Sequence, residues 1–191
     1  INDAWPLKFW GIMYPLGENL LFQYNDWFKN TVWAPGAADN FQGSNGSSKW
    51  HDAGSTVGGS TFRYITMSQN HTGGIQPGLK ALIEYARIQN QYINIDGSGI
   101  QRTVGNTIGS TTRYSWLLNT NRNGMRFDSK CAGVNGVVHN VVSAGNKRGF
   151  RFKGDKHRAF HLLAYDNNTT GISLPKNKFC GEDWGNHDGA N

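Results

Sequence analysis

Apolar residues along this chain fall into short alternating runs of two kinds, and the runs recur. The clearer kind is a phrase of glycine, apolar residue, variable residue, apolar residue, best seen in Gly149-Phe150-Arg151-Phe152 and again in Gly124-Met125-Arg126-Phe127 and Gly171-Ile172-Ser173-Leu174. Each copy follows an Asn-rich turn: Asn119 to Asn123, Gly145 to Arg148, and Asp166 to Thr170. About nine or ten residues earlier lies a second alternation, as in Leu20, Phe22, Tyr24; Ile65, Met67; Ala81, Ile83, Tyr85; Trp116, Leu118; and Phe160, Leu162, Ala164. A period of two in Val, Ile and aromatic residues predicts strands.

The first apolar residue after each turn marks the repeat at Ile12, Val32, Ile75, Ile93, Met125, Phe150 and Ile172, with gaps of 20, 43, 18, 32, 25 and 22 residues. Most gaps fit a coil of twenty-odd residues. The two long ones predict insertions, one across residues 35–60 and one across 97–112, placed on loops as solenoids place them. Two or three short strands per coil, joined by Asn and Gly turns, predict an all-β fold: a right-handed parallel β-helix of about seven coils forming one domain over residues 1–191. Asn suits such turns because it tolerates the left-handed backbone and can stack amide on amide between coils. A β-sandwich would need hairpins, and the two Asn-Gly pairs, Asn45-Gly46 and Asn135-Gly136, are not flanked by paired alternating strands.

Composition supports this reading. Only 37% of the 191 residues are hydrophobic and 17% charged, with 25 glycines, which disfavours a helical bundle. No apolar run reaches the ~20 residues of a membrane-spanning helix. The opening Ile1-Asn2-Asp3-Ala4-Trp5-Pro6 has neither an initiator Met nor a signal peptide and leads almost directly into repeat-like sequence, so a processed chain or a piece of a longer solenoid is expected. The two cysteines, Cys131 and Cys180, lie two coils apart. In one column they would be roughly 9–10 Å apart, beyond the ~7 Å of a direct bridge, so a disulfide requires loop excursions and both states stay open.

A net charge of +6 favours an anionic partner. Zinc-finger spacing, a basic helix and an RNA-recognition aromatic motif are all absent from the sequence, so nucleic acid is not expected. An acidic polysaccharide fits the charge at least as well. The variable residue of the strand phrase should face outward, placing Gln76, Asn94, Arg126, Arg151 and Ser173 in one column, extended by Trp33, about 4.8 Å apart. Amide, guanidinium and aromatic groups at that spacing suit a sugar chain. Against this, Asp128 and Asp155 could hold the two arginines in ordinary surface ion pairs. His139 and His161, near strand starts in successive coils, are general acid or base candidates, with surface turns as the plainer explanation. Asp96 and Asp128 follow equivalent strands and give a weak pair for glycoside hydrolysis. Sequons occur at Asn45, Asn70, Asn167 and Asn168.

Three stretches, Ala38-Asp39-Asn40-Phe41, Asn70-His71-Thr72-Gly73-Gly74 and Arg148-Gly149-Phe150-Arg151-Phe152-Lys153-Gly154 leading to His157, resemble motifs of the pectate-lyase-like β-helix group typified by polysaccharide lyase family nine. The resemblance spans Asn40 to Lys176 and lies mostly in the coil rhythm, the last motif being the specific one. It implies β-elimination on a uronate polymer, with Arg151 where the family has its catalytic Lys, and a calcium site of which Asp39 alone survives; His71-Thr72-Gly73 replaces the Asp-Asp turn. Arginine serves as the base in related lyases, although a side chain with a pKa above ~12 needs a special environment to do so.

Two functions follow as expectations. In the first, an extracellular protein binds an acidic polysaccharide and cleaves it by elimination, with Arg151, Arg126, His139 and Lys153 as catalytic candidates and Trp33, Gln76, Asn94 and His161 as substrate-binding ones. No cofactor is required by the residues themselves, and Ca2+ at Asp39 enters only through the resemblance. In the second, a non-enzymatic structural or adhesive module contacts other chains of an extracellular assembly.

Overall fold

The computed structural model describes residues 21–23, 26–28, 41–42, 59, 61–68, 74–76, 80–91, 98–103, 109–128, 135–154 and 156–174. These residues form strands and turns only: β1 (Leu21–Gln23), β2 (Asp26–Phe28), β3 (Phe41–Gln42), β4 (Thr61–Arg63), β5 (Thr66–Ser68), β6 (Ile75–Gln76), β7 (Leu82–Glu84), β8 (Arg87–Gln89), β9 (Ser98–Thr103), β10 (Thr111–Leu118), β11 (Asn123–Asp128), β12 (Val137–Ala144), β13 (Arg148–Phe152), β14 (Arg158–Tyr165) and β15 (Thr170–Ser173). Every pairing is parallel and joins a strand to its equivalent in a neighbouring coil. The result is the expected parallel β-solenoid, with one nine-stranded and one six-stranded sheet.

The nine-stranded sheet has two faces, because each coil bends midway along it. Thr111–Arg113 of β10 pairs with β7, and Trp116–Leu118 of the same strand pairs with β8. At the bend the backbone turns left-handed, in register, at Tyr64, Tyr85, Tyr114, Asn140 and His161, with φ between 49° and 54°. A second left-handed column, Asn90, Asn119, Gly145 and Asp166, turns the chain toward the six-stranded sheet, and a third, Lys80, Gly109, Asn135 and Lys156, turns it back. Each coil therefore has three sides. The Asn-rich turns of the sequence supply the second column, as Asn's tolerance of this conformation allows.

The positions just after this column, Thr120, Asn146 and Asn167, cross-link the coils by hydrogen bonds. Asn146 is fully buried; its Oδ1 accepts from both N and Oγ1 of Thr120 at 2.8 Å, and its Nδ2 donates to Leu117 O and Ser143 Oγ at 2.8 Å. Asn167 continues the pattern in the next coil, where its Oδ1 accepts from Asn146 N and its Nδ2 donates to Ser143 O. The contact between coils thus runs from side-chain amide to backbone and hydroxyl groups.

In the six-stranded sheet the repeat is regular. Ile75, Ile100, Met125 and Phe150 are opposite one another in turn, 25 residues apart each time, and Ile172 is opposite Phe150. The expected marker Ile93 is replaced by Ile100, so β9 falls inside the stretch 97–112 where an insertion was expected. The reason is chemical: in Gly99-Ile100-Gln101-Arg102 the second inward position is an arginine, which an apolar pattern does not recognise. Phe62, Ile83, Met125, Phe127, Phe150 and Phe152 fill the interior, with the Phe127 and Phe152 rings 4.9 Å apart.

The glycine of each phrase is required by close approach. A Cβ on Gly124 would strike Ser143 Oγ and lie 2.8 Å from Gly149 O, and one on Gly99 would lie 2.8 Å from Gly124 O. Gly124→Ala should therefore cost about 1–3 kcal/mol, as overpacking does, read as a lower denaturation midpoint with unchanged slope. Cys131, Cys180, Asp96, Asp155 and most of residues 35–60 lie outside the described residues.

Candidate functional site

The column expected to face outward on the six-stranded sheet is assembled by the register as Gln101, Arg126, Arg151 and Ser173. Gln101 takes the place expected for Asn94, which lies outside the described residues, as do Trp33 and Asp39. Gln76 is in β6, opposite Gln42. The two arginines are adjacent as expected, but Arg126 is only 5% exposed and Gln101 1%, which corrects the expectation of a solvent-facing column. Arg126 is flanked on either side by long side chains one coil away, and Arg126, Arg151 and Lys153 are all engaged by other groups. Arg151, Lys153 and Ser173 are half-buried.

The histidines separate. His139 is opposite Phe160, so His161 lies one position out of step with it. His139 Nδ1 is 2.7 Å from Asn140 Oδ1, and its ring stacks on Phe160 at 4.9 Å and meets Tyr114 edge-on. His161 is exposed at a left-handed turn, edge-on to Phe160. His157 is buried: its Nδ1 accepts from Gly136 N at 3.1 Å, its Nε2 donates to Lys153 O at 2.8 Å, and its ring packs on Phe127. With both nitrogens committed, it holds a turn.

A different strip lies outside the bend of the nine-stranded sheet. Tyr64, Tyr85 and Tyr114 are stacked, with centroids 5.0 and 5.3 Å apart and planes within 13° of parallel. All three are exposed. Beside them Arg63, Glu84 and Arg113 are opposite one another in successive coils. Glu84 is buried between the two guanidinium groups, 2.6 Å from Arg63 Nη2 and 2.7 Å from Arg113 Nη2, and also accepts from Arg113 Nε at 2.8 Å. The Arg113 guanidinium lies 5.7 Å from the Tyr114 ring centroid. The strip was detectable in the sequence as a repeated triplet ending in tyrosine, Phe62-Arg63-Tyr64, Ile83-Glu84-Tyr85 and Thr112-Arg113-Tyr114. Treating tyrosine as one more apolar strand residue conceals it.

Inside the solenoid, Arg102 takes the position that Phe127 holds in the next coil. It is fully buried. Its Nη2 donates to Thr112 Oγ1 at 3.0 Å and Thr111 O at 3.2 Å, with Ala81 O at 3.5 Å, while Nε and Nη1 have no hydrogen-bond partner among the described residues. Desolvation lowers its pKa from the ordinary guanidinium range to about 9, so it is still charged at neutral pH.

Among the described residues no group of three or more His, Cys, Asp and Glu side chains converges as metal ligands would, and no helix is long and apolar enough to cross a membrane. Comparison with protein-family models, curated proteins and solved structures returned no match.

Proposed function

We propose that this β-solenoid is an extracellular protein that binds an acidic polysaccharide. The observation that carries this reading is the placement of charge. Residues 61–174, which include β4 to β15, hold fourteen Lys and Arg against five Asp and Glu, a net +9, while the flanking stretches hold five against eight. The basic residues are thus concentrated in the stacked coils, and a rigid body with so one-sided a field concentrates anionic polymers at its surface. Among the described basic residues, Lys80, Arg87, Lys156 and Arg158 are exposed, and Arg63 and Arg113 are partly so.

Elimination chemistry, which the resemblance to pectate-lyase-like proteins suggests, would fall to Arg151 as base and Arg126 as neutraliser of the uronate carboxylate. A cation beside that carboxylate stabilises the enolate-like charge of the transition state. The burial of Arg126 supports binding better than cleavage.

The expected result is retention of the protein on immobilised polyuronates but not on neutral glucans, with affinity falling as salt rises, because exposed charges are screened. Incubation with the same polymers while following ultraviolet absorbance of an unsaturated product separates binding from lyase activity. Product that disappears in Arg151→Ala would establish the lyase, and failure to bind any polyanion at low salt would defeat the reading.

A second reading, a structural or adhesive module of a larger assembly, is favoured by the last described coil. There Leu163 is 54% and Ile172 50% exposed, and β14 and β15 pair on one side only among the described strands.

A further inference from the structure

We propose that the Tyr64, Tyr85 and Tyr114 stack, with Arg63, Glu84 and Arg113 beside it, is the site that holds the polysaccharide, which lies along the solenoid axis with one sugar per coil and an acidic group on every second sugar. The proposal rests on the polysaccharide-binding reading above and specifies it.

The stack's geometry decides which chemistry it offers. Because the rings lie face to face across coils, the stack covers both faces of Tyr85 and one face each of Tyr64 and Tyr114, so it does not present a row of open faces to a sugar chain. The exposed parts are ring edges and hydroxyls, and these form a row spaced like successive coils. A phenol both donates and accepts, as sugar hydroxyls and ring oxygens require. The spacing also approximates the length of one hexose in an extended glycan, so a chain running with the axis meets one hydroxyl per sugar without losing register.

The charges set the second period. Glu84 lies between the arginines and takes a hydrogen bond from each, which fixes both guanidinium groups before any ligand arrives. One carboxylate cannot neutralise two arginines, so the triad keeps a net positive charge at its two ends, Arg63 and Arg113, whose side chains are 36% and 38% exposed. These ends are two coils apart, roughly 9–10 Å at the usual strand spacing. A carboxylate or sulfate that returns on the same side of the glycan every second sugar meets both, while one on the intervening sugar faces Glu84.

The backbone is left-handed at all three tyrosines, as it is at Asn140 and His161 in the same column. Asn140 occupies the same column with φ 54°, showing that the position accepts the residue best suited to it. A bulky aromatic residue at a positive φ is disfavoured, yet three coils in succession keep tyrosine there. The ordering of strained residues at binding sites is a recurrent use of such positions.

Isothermal titration with hyaluronan oligosaccharides, one carboxylate per disaccharide, and polygalacturonate oligosaccharides of matched length, one carboxylate per residue, tests the proposal. Hyaluronan should bind the wild-type chain more tightly. The triple variant Tyr64→Phe, Tyr85→Phe, Tyr114→Phe keeps the stack and removes only the hydroxyls; it should weaken binding by about tenfold or more, the scale of a few lost hydrogen bonds. Tyr85→Asn, which the backbone accommodates, should weaken it too. Circular dichroism melts confirm that each variant is folded. Unchanged affinity in the folded triple Phe variant would overturn the site while leaving polysaccharide binding intact. Equal or tighter binding of polygalacturonate would overturn the two-coil period, loss of binding in Arg151→Ala alone would move the site to the six-stranded sheet, and no binding of either polymer would remove both the site and the reading beneath it.

Discussion

Asn146→Ala should lower the unfolding free energy by roughly 3–5 kcal/mol, from the loss of several buried hydrogen bonds at once. The alanine keeps the backbone of the turn but removes both acceptor and donors. Leu117 O loses the Nδ2 donor, Thr120 N and Oγ1 lose their shared acceptor, and Ser143 Oγ loses one partner. Asn146 has no access to solvent, and Thr120 and Ser143 are also buried, so water cannot replace what is lost. Each orphaned buried group costs about 1–3 kcal/mol, against about 1 kcal/mol for an ordinary hydrogen bond. Denaturant titration followed by far-ultraviolet circular dichroism measures the difference. Asn146→Ser should recover only part of it, since a hydroxyl cannot span to both Leu117 and Thr120.

Arg102→Met should do the opposite and raise stability by about 1–4 kcal/mol, the range found when buried ionic groups give way to apolar ones. Methionine fills the volume and packs beside Phe127, its neighbour in the column, at the cost of three hydrogen bonds to Thr112 and backbone carbonyls. The pH dependence distinguishes this explanation from simple repacking. Arg102 has a folded-state pKa of about 9, well below the ordinary guanidinium value that the unfolded chain keeps, so above pH 9 the unfolded chain holds the extra proton and stability rises with pH. The charged side chain therefore opposes folding fully below pH 9 and progressively less above it. The stability advantage of Arg102→Met should be constant from pH 6 to about 8 and shrink as pH rises past about 9. Thermal melts of the two proteins at matched pH give the difference directly, in which the ionisation of tyrosines and lysines common to both cancels.

The residues that made the fold legible in the sequence are those whose chemistry repeats. Gly99, Gly124 and Gly149 recur because the next coil's backbone leaves no room for a Cβ, Asn90 and Asn119 recur because they turn the coil, and Asn146 and Asn167 recur because they fasten it to its neighbour. Where one coil uses a different solution, sequence reasoning fails locally: Arg102 at an inward position concealed β9 and moved the marker to Ile93. The candidate site was harder to read. Alternation correctly aligned Arg126 with Arg151, but alternation reports only the side of a strand, and what covers that side is a tertiary matter that left Arg126 buried. Tyr64, Tyr85 and Tyr114 carry a signal of equal strength, yet their exposure follows from a left-handed bend in mid-strand that a period-two pattern does not contain.

The regular opposition of Ile75, Ile100, Met125 and Phe150 also has a kinetic meaning. Each coil contacts only the coils on either side, so the loop closed by adding one stays at about 25 residues in this sheet however long the stack becomes. Adding a coil to a folded neighbour costs nearly the same entropy at every step, and the chain behaves as a one-dimensional array in which order spreads from a nucleus and melting proceeds inward from the ends. A lesion at Asn146, between β12 and β13, cuts the described array one coil from its end, so the coil of β14 and β15 should melt ahead of the coils before it.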